Sequence, residues 1–131
     1  MAYFRAAIGG GGGGETETTL WTNPNPTSNM ISETVTLSDD LTNYKYLRIE
    51  WRRTTSDDTK ASMRVLSSEF KSFDSSATSP KFLMGSGTTT YSARAVVYAS
   101  DTSVSFSQCR QVNGTGSVSS GCIPTKITGI N

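Results

Sequence analysis

From Thr16 onward, the chain consists of short runs of β-branched and aromatic residues separated by clusters of Ser, Asn, Asp, Gly and Pro. Runs of this kind, bounded by turn-forming residues, are typical of β-strands. The clearest is YKYLRIEWRR, in which Leu47, Ile49 and Trp51 alternate with polar or amphipathic residues. A period of two places these three side chains on one face of a strand, and we expect that face to be buried. The whole pattern predicts about eight strands.

Two pairs of neighbouring runs predict β-hairpins. The run that contains Trp51 passes through the polar turn TTSDDTK into ASMRVL, and YSARAVVYAS is joined to TSVSFSQCRQV at SDT. In the second hairpin, Val104 and Phe106 should face the core. The last run, CIPTKITGI, contains Pro124, which cannot donate a hydrogen bond to a neighbouring strand. We therefore expect Pro124 to lie at a sheet edge or at a bulge.

Helices should contribute little, because no stretch of ten or more residues keeps a 3.6-residue period. The polar segment SSEFKSFDSSATSP is predicted to be a long surface loop with room for one helical turn. Short strands at near-regular spacing predict an all-β fold, either an antiparallel β-sandwich or a jelly roll. A length of 131 residues suits one such domain with an appendage.

The appendage is the N terminus. Residues 1–8, MAYFRAAI, are mostly apolar, and residues 9–15 form a linker that includes six consecutive glycines. Ordering glycine costs more backbone entropy than ordering any other residue. We therefore expect the linker to act as a flexible spacer of roughly 13 Å as a coil and about 20 Å when stretched. Residues 16–131 would then form the folded domain.

A spacer implies that the peptide before it has a separate task. Tyr3, Phe4 and Ile8 offer apolar anchors and Arg5 offers one polar contact, whereas eight residues are too few to fold alone. The expected role is a docking peptide that adds a strand to a partner protein or lies in one of its grooves. The alternative is an incidental disordered terminus.

The overall composition is that of a soluble globular protein, with 34% hydrophobic residues, 18% charged residues and a formal net charge of +1. This balance gives no reason to expect a nucleic-acid partner. No apolar stretch approaches the roughly 18 to 20 residues of a membrane span, and the N-terminal peptide is too short for a secretory signal. We therefore expect synthesis in the cytoplasm and no membrane association.

The absence of histidine excludes several kinds of catalytic and metal site within the chain. Ser-His-Asp and Cys-His nucleophile systems need it, and two cysteines alone cannot complete a zinc site. The acidic pairs Asp39-Asp40 and Asp57-Asp58 lie in turns flanked by Ser and Thr, which favours turn residues over glycosidase carboxylates or calcium ligands. We expect no enzyme activity and no cofactor.

Cys109 and Cys122 enclose a Gly- and Ser-rich segment. A disulfide between them would close a loop of hairpin size and stabilise the fold by about 3 kcal/mol. Two reduced, partly buried thiols are the alternative for a protein made in a reducing cytoplasm.

Several other features have both a structural and a functional interpretation. Gly85–Gly87 lacks the ending of a phosphate-binding loop and is predicted to be a turn. Asn113 begins an Asn-Gly pair, for which a hairpin turn is favoured over a glycosylation site. Arginines on two neighbouring predicted strands form either a small basic patch or charges that protect a sheet edge: Arg48, Arg52, Arg53 and Arg64.

Ligand binding on a sandwich usually involves loops or exposed aromatic side chains. Trp21 and Tyr44 are candidates for stacking on sugar rings, although aromatic residues more often belong to the core. The loops that could carry recognition are residues 22–30, 67–80 and 113–121.

Several phrases of the chain resemble small β-domains at the ends of virion proteins from tailed bacteriophages. These are the N-terminal MAYF peptide with its glycine spacer, TTLWTNPNPTS, TVTLSDDLTNYKYLRIEWR and the closing GCIPTKITGI. The resemblance spans residues 19–130. It implies a distal module of a tail fibre, baseplate appendage or head fibre, often trimeric. The chain departs from the long-fibre pattern because no coiled-coil or repetitive shaft precedes the domain, which fits a decoration or appendage protein better.

The resemblance thus implies a non-enzymatic virion protein. Residues 1–14 would dock on capsid, tail or baseplate proteins, and the sandwich would serve particle decoration or attachment to the host surface, with a host glycan as a possible ligand. Since one short docking peptide binds weakly, a trimer is expected to supply multivalency. The alternative functions are a free carbohydrate-binding module and, far less favoured, a glycan hydrolase.

Overall fold

A computed structural model describes residues 14–86, 90–112, 114 and 116–131 of the chain, and two antiparallel sheets dominate this part. The strands are β1 (Glu17–Thr22), β2 (Glu33–Thr36), β3 (Tyr46–Thr54), β4 (Lys60–Leu66), β5 (Lys81–Ser86), β6 (Thr90–Ser100), β7 (Ser103–Phe106), β8 (Arg110–Gln111) and β9 (Gly121–Ile130). The first sheet has the order β1-β9-β3-β4, and the second has the order β2-β7-β6-β5, with β8 paired to β6. The predicted all-β sandwich is confirmed.

Helical structure in the described residues is limited to two short pieces. A 3₁₀ turn covers Leu41–Asn43 and a four-residue helix, α1, covers Ser67–Phe70. Asp40 caps the 3₁₀ turn by accepting a hydrogen bond from the Thr42 amide. The helix α1 lies in the segment that the sequence predicted to be a loop with one helical turn.

Both predicted hairpins are present. Strands β3 and β4 pair from Tyr46↔Leu66 to Arg52↔Lys60, and β6 pairs with β7 across the turn at Asp101 and Thr102. Leu47, Ile49 and Trp51 are buried, as their alternation predicted.

The two sheets meet in one apolar core. The ring of Trp51 on β3 stacks on Phe82 of β5, with 4.0 Å between centroids and 9° between planes. Phe106 of β7 lies next to Phe82 at 6.3 Å, and it is buried together with Val104, as expected. Each such side chain contributes about 1.5–3 kcal/mol when it is fully buried. The stacking of Trp51 on Phe82 therefore helps to hold the two sheets together.

Pro124 lies at a bulge and not at a sheet edge. Strand β9 is an interior strand between β1 and β3, so the edge alternative is wrong for this strand. Trp51 is opposite Pro124 and Glu50 is opposite Lys126, which leaves Thr125 as an extra residue. The pairing with β1 ends at Thr22↔Lys126, before it reaches the proline. An interior strand tolerates proline here because the ladder on that side has already ended.

The strand predicted over TSVSFSQCRQV is divided into β7 and β8, which raises the number of strands among the described residues to nine. Between them, the Ser107 Oγ accepts a hydrogen bond from the Ala95 amide at 2.9 Å. A side-chain oxygen thus takes the place of a backbone carbonyl, and the ladder is interrupted for three residues. The alternation of residue types in the sequence does not reveal that a side-chain oxygen replaces a backbone acceptor here.

Several predictions concern residues outside the described ones. The docking residues Tyr3, Phe4, Arg5 and Ile8 and most of the linker belong to residues 1–13, and Gly87 and Asn113 also lie outside. The backbone around Asn113 is described: the Gln111 amide donates to the Gly116 carbonyl at 2.9 Å. No helix in the described ranges has the length and apolar character that crossing a membrane requires.

Candidate binding surfaces

Trp21 is half buried at the margin of the core. Its ring packs against Phe106 with 5.6 Å between centroids, and its position on β1 is opposite Ile127 of β9. The indole therefore belongs at least partly to the contact between the two sheets. Its role in stacking on a sugar stays a prediction.

Tyr44 is also half buried, but it borders a cavity. Its hydroxyl donates a 2.8 Å hydrogen bond to Asp39, and this bond raises the pKa of Tyr44 and lowers that of Asp39. Its ring lies against the backbone of Gly129, where an added Cβ would be only 2.5 Å from the ring carbons. The ring position is thus fixed by a hydrogen bond at one end and by close backbone contact along its face.

The cavity beside Tyr44, which we call the Tyr44 pocket, has a volume of about 510 Å³. It forms where the 3₁₀ turn, the start of β3 and the β4–α1 junction meet, because the Ser67 amide donates to the Lys45 carbonyl at 3.0 Å. Its lining contains two lysines, hydroxyl groups and no carboxylate: Thr42, Tyr44, Lys45, Leu66, Ser67, Ser68 and Lys71.

One group in this pocket has an unfulfilled bonding capacity. Ser67 is only 3% exposed, and its Oγ has no hydrogen-bond partner among the described residues. Leaving a buried hydroxyl unpaired costs about 1–3 kcal/mol. The Oγ1 of Thr128 is buried and unpaired in the same way, so this feature is not particular to the pocket.

A second cavity, the sheet groove, lies on the outer face of the second sheet and has a volume of about 590 Å³. Its floor is formed by the small side chains of Ala93 and Ala95 on β6. The neighbouring elements supply the walls: Ser76, Ala77, Lys81, Ser107, Gln108, Arg110, Gln111 and Val112. Alternate residues of β6 face outward, so the alanines leave space where larger residues would fill it.

Two exposed apolar side chains, one on β5 and one just after β8, lie beside or in the sheet groove. Leu83 is 58% exposed and is opposite Ala93, while Val112 is 61% exposed and lines the groove. The Lys81 ammonium group donates to the Ser76 carbonyl at 2.8 Å and so holds the loop that forms one wall. Of the predicted recognition loops, residues 67–80 contribute lining residues to both cavities, whereas residues 113–121 only follow Val112 in sequence. The third loop, residues 22–30, borders a cavity of only about 130 Å³.

The predicted basic patch is largely neutralised. Arg48 makes a bidentate contact with Glu17 at 2.8 and 2.9 Å, and Arg64 contacts Glu15 at 2.7 Å. Arg52 donates to the Thr54 carbonyl at 2.7 Å. Arg53 lies 3.4 Å from Asp57. These arginines form ion pairs and backbone contacts within the domain.

One residue of each acidic pair accepts hydrogen bonds within its own turn. Asp39 accepts hydrogen bonds from Tyr44 and from the Asp40 amide. Asp57 accepts from the amide and the hydroxyl of Thr59, and these bonds lower its pKa. The described residues contain no group of three or more His, Cys, Asp or Glu side chains that could hold a metal ion.

Cys109 and Cys122 are free thiols, and both are fully buried. A hydrogen bond from Cys122, together with the nearby charge of Arg94, lowers the pKa of Cys109 to about 7. Cys122 has a φ of 49°, an uncommon value for a residue other than glycine. The two side chains are not bridged in this structure, and their redox state stays a prediction.

Arg94 is the feature that the sequence did not reveal. Its guanidinium is fully buried and donates all five hydrogen bonds to backbone carbonyls at 2.9–3.1 Å: those of Met30, Ile31, Ser107, Gly121 and Cys122. Burial lowers its pKa below the ordinary value, although arginine stays charged in proteins. We call this set of five hydrogen bonds the Arg94 clamp. An arginine at an inward position of an alternating strand is the only sequence signal for it.

Comparison with known proteins adds no relative: no protein-family model matches the chain, and no curated protein matches it significantly.

Proposed function

We propose that the chain is a non-enzymatic virion protein of a tailed bacteriophage, docked by residues 1–8 and displaying its β-sandwich for particle decoration or attachment to the host surface. The main support from the structure is the way in which the domain begins. Thr16 exchanges backbone hydrogen bonds with Asn131 at 2.9 and 3.0 Å, immediately after the glycine-rich segment. Two ion pairs, Glu15 with Arg64 and Glu17 with Arg48, hold the same few residues.

The described core is formed by residues of the folded domain. Its buried apolar side chains lie between Leu20 and Ile130. In the proposal, Tyr3, Phe4 and Ile8 are the residues that bind a partner. Burying each of these side chains would contribute about 1.5–3 kcal/mol. Because this energy is modest, the proposal includes an oligomer, with a trimer favoured, in which several peptides bind at once.

The alternative function is a free carbohydrate-binding module. The Tyr44 pocket supports saccharide binding in either case, since it combines part of an aromatic ring with polar groups. The two functions differ in whether the protein is part of a particle. They also differ in residues 1–8, because a free module does not need a docking peptide.

The test is incorporation into particles. Three forms of the gene would be compared in the phage that encodes it: wild type, Phe4→Ala and, as a control in the same peptide, Ala7→Ser. We expect Phe4→Ala to lower the amount of protein in purified particles at least tenfold, because an apolar anchor is lost. Ala7→Ser should be incorporated like wild type. The unfolding midpoint of all three purified proteins should be equal. Incorporation of Phe4→Ala at the wild-type level would refute docking by this peptide.

A further inference from the structure

We infer that the sheet groove is an interface between copies of this chain, in which Ile31 of one copy enters the groove of its neighbour and Glu33 pairs there with Arg110. The inference deepens the proposed function and rests on it for its biological role, since this contact would hold the proposed trimer together. Self-association is a property of the folded chain and can be measured on the purified protein.

Among the described residues, three exposed apolar side chains surround the sheet groove. Leu83 on β5 is opposite Ala93 of the floor, and Val112 lines the groove. Tyr91 precedes Ala93 by two residues on β6 and therefore lies on the same face of the sheet. The Val112 amide donates to the Tyr91 carbonyl at 2.8 Å, which keeps these two residues side by side. Single exposed apolar residues are ordinary, but a cluster around a groove is typical of a protein–protein contact.

Ile31 is the remaining exposed large apolar side chain in the described ranges. It is 66% exposed and does not line the groove of its own copy. Its backbone is fixed, because the Ile31 carbonyl accepts a 3.1 Å hydrogen bond from Arg94 and the neighbouring Met30 amide donates to the Ser119 carbonyl at 2.9 Å. An apolar side chain on a fixed backbone loses little freedom when it docks, so Ile31 is suited to anchor a contact.

The charges of the two surfaces are complementary. Glu33, two residues after Ile31, is exposed. The groove is lined by Lys81 and Arg110, and no Asp or Glu side chain lines it. Asp74, on the loop that forms one wall, is not among the lining residues. A carboxylate that arrives from another copy would therefore meet positive charge at the groove.

Arg110 is the cation available for this pairing. The Lys81 ammonium group already donates to the carbonyls of Ser76 and Ser79. Among the described residues, neither Arg110 nor Glu33 forms an ion pair. A charged pair between copies would therefore not have to replace an ion pair within either described domain.

A second copy is the occupant that these observations favour, because one chain carries both halves of the contact. The half with Ile31 and Glu33 differs from the groove, so the same contact can be repeated from copy to copy. Contacts of this kind close into a ring when the rotation between copies permits it, and otherwise form an open filament. A ring of three agrees with the proposed oligomer, and each copy would use its Ile31 and its groove once.

The first test is the mass of the purified full-length protein in solution, measured by sedimentation velocity. Ile31→Asp removes the anchor, and Ala93→Glu fills the floor of the groove. We expect a trimer for wild type and at least tenfold weaker association for each variant, because the apolar contact is lost. Ser62→Asp is the matched control, since it adds the same charge at an exposed position of β4 in the first sheet and should leave the trimer intact. A monomeric wild type, or an Ile31→Asp protein that stays a trimer, would overturn the inference.

The second test reverses the charges. Glu33→Arg and Arg110→Glu should each weaken association at least tenfold, since like charges then face each other. The double variant should recover association to within about threefold of wild type. Lys60→Glu is the control, because it reverses an exposed charge on β4 and should associate normally. A double variant that associates as weakly as the single variants would overturn the inference.

Two further measurements keep the outcomes distinct. Far-UV circular dichroism should be the same for wild type and the variants of the exposed residues Ile31, Glu33 and Arg110, so that lost association is not lost folding. A trimer that depends on Ile31 but is absent from purified particles would keep this inference and refute the virion role. A chain that is present on particles but monomeric in solution would keep the virion role and refute this inference.

Discussion

At the scale of single residues, the buried guanidinium of Arg94 is the most consequential group in the domain. Its five hydrogen bonds join three separate parts of the chain: the segment before β2, the exit of β7 and the start of β9. No carboxylate is among these partners, so the positive charge is stabilised by carbonyl dipoles. Burying the guanidinium in this way is favourable only if each of its five N–H donors is hydrogen-bonded.

We predict that Arg94→Lys destabilises the domain by about 3 kcal/mol or more, because lysine has three donors instead of five and leaves buried carbonyls unpaired. Urea unfolding followed by tryptophan fluorescence would measure the loss. Arg110→Lys is the control, since Arg110 is exposed and its change should stay within about 0.5 kcal/mol. A loss below about 1 kcal/mol in Arg94→Lys would mean that the clamp contributes little.

Arg94 also shows where sequence reasoning ends. Alternation along YSARAVVYAS predicts a strand, and the structure confirms it as β6, but alternation also puts an arginine among inward-facing residues. From alternation alone, an arginine at an inward position indicates either a wrongly assigned strand or a residue at a sheet edge. The explanation depends on carbonyls that are distant in sequence and that only the folded chain brings together.

At the scale of elements, the interior strand β9 organises the first sheet. It pairs with β1 on one side and β3 on the other, and it carries the proline bulge that ends the β1 ladder. Near its C-terminal end, Gly129 leaves room for the Tyr44 ring that follows the 3₁₀ turn. The lack of a side chain at this one position therefore couples the strand to the edge of the Tyr44 pocket.

We predict that Gly129→Ala destabilises the domain by about 1–3 kcal/mol, because the new Cβ would overlap the base of the ring. The same substitution in a Tyr44→Ala background should cost at least about 1 kcal/mol less, since the clash is then absent. Urea unfolding of wild type, both single variants and the double variant gives this coupling energy. Equal costs in the two backgrounds would show that the ring does not constrain position 129.

The elements differ in how well the sequence predicted them. Hairpins were correct where strict alternation and a polar turn occur together, as for Leu47, Ile49 and Trp51 on β3. For Pro124 the bulge alternative was correct. The edge alternative was wrong because chain order does not reveal which strand lies between two others. Neither the Tyr44 pocket nor the sheet groove could be predicted, since each is lined by residues far apart in sequence that only strand pairing brings together.

At the scale of the whole molecule, the sandwich has its termini side by side. Thr16 and Asn131 are hydrogen-bonded to each other, at the same end of the first sheet as the Tyr44 contact with Gly129. A tether that docks on a particle would then leave from this end, close to the Tyr44 pocket. In the proposed oligomer, several such tethers would bind at once, and their individually weak contacts would add up to durable docking.

The central claim, that this sandwich is displayed on a virion, is tested most directly by gold-labelled antibodies against the domain on purified particles, viewed by electron microscopy. The account predicts label on the particle. Label along the capsid would indicate decoration or a head fibre, and label at the tail tip would indicate an attachment module. Absence of label on any particle, with the protein present in the same lysate, would contradict the account and favour a free carbohydrate-binding module.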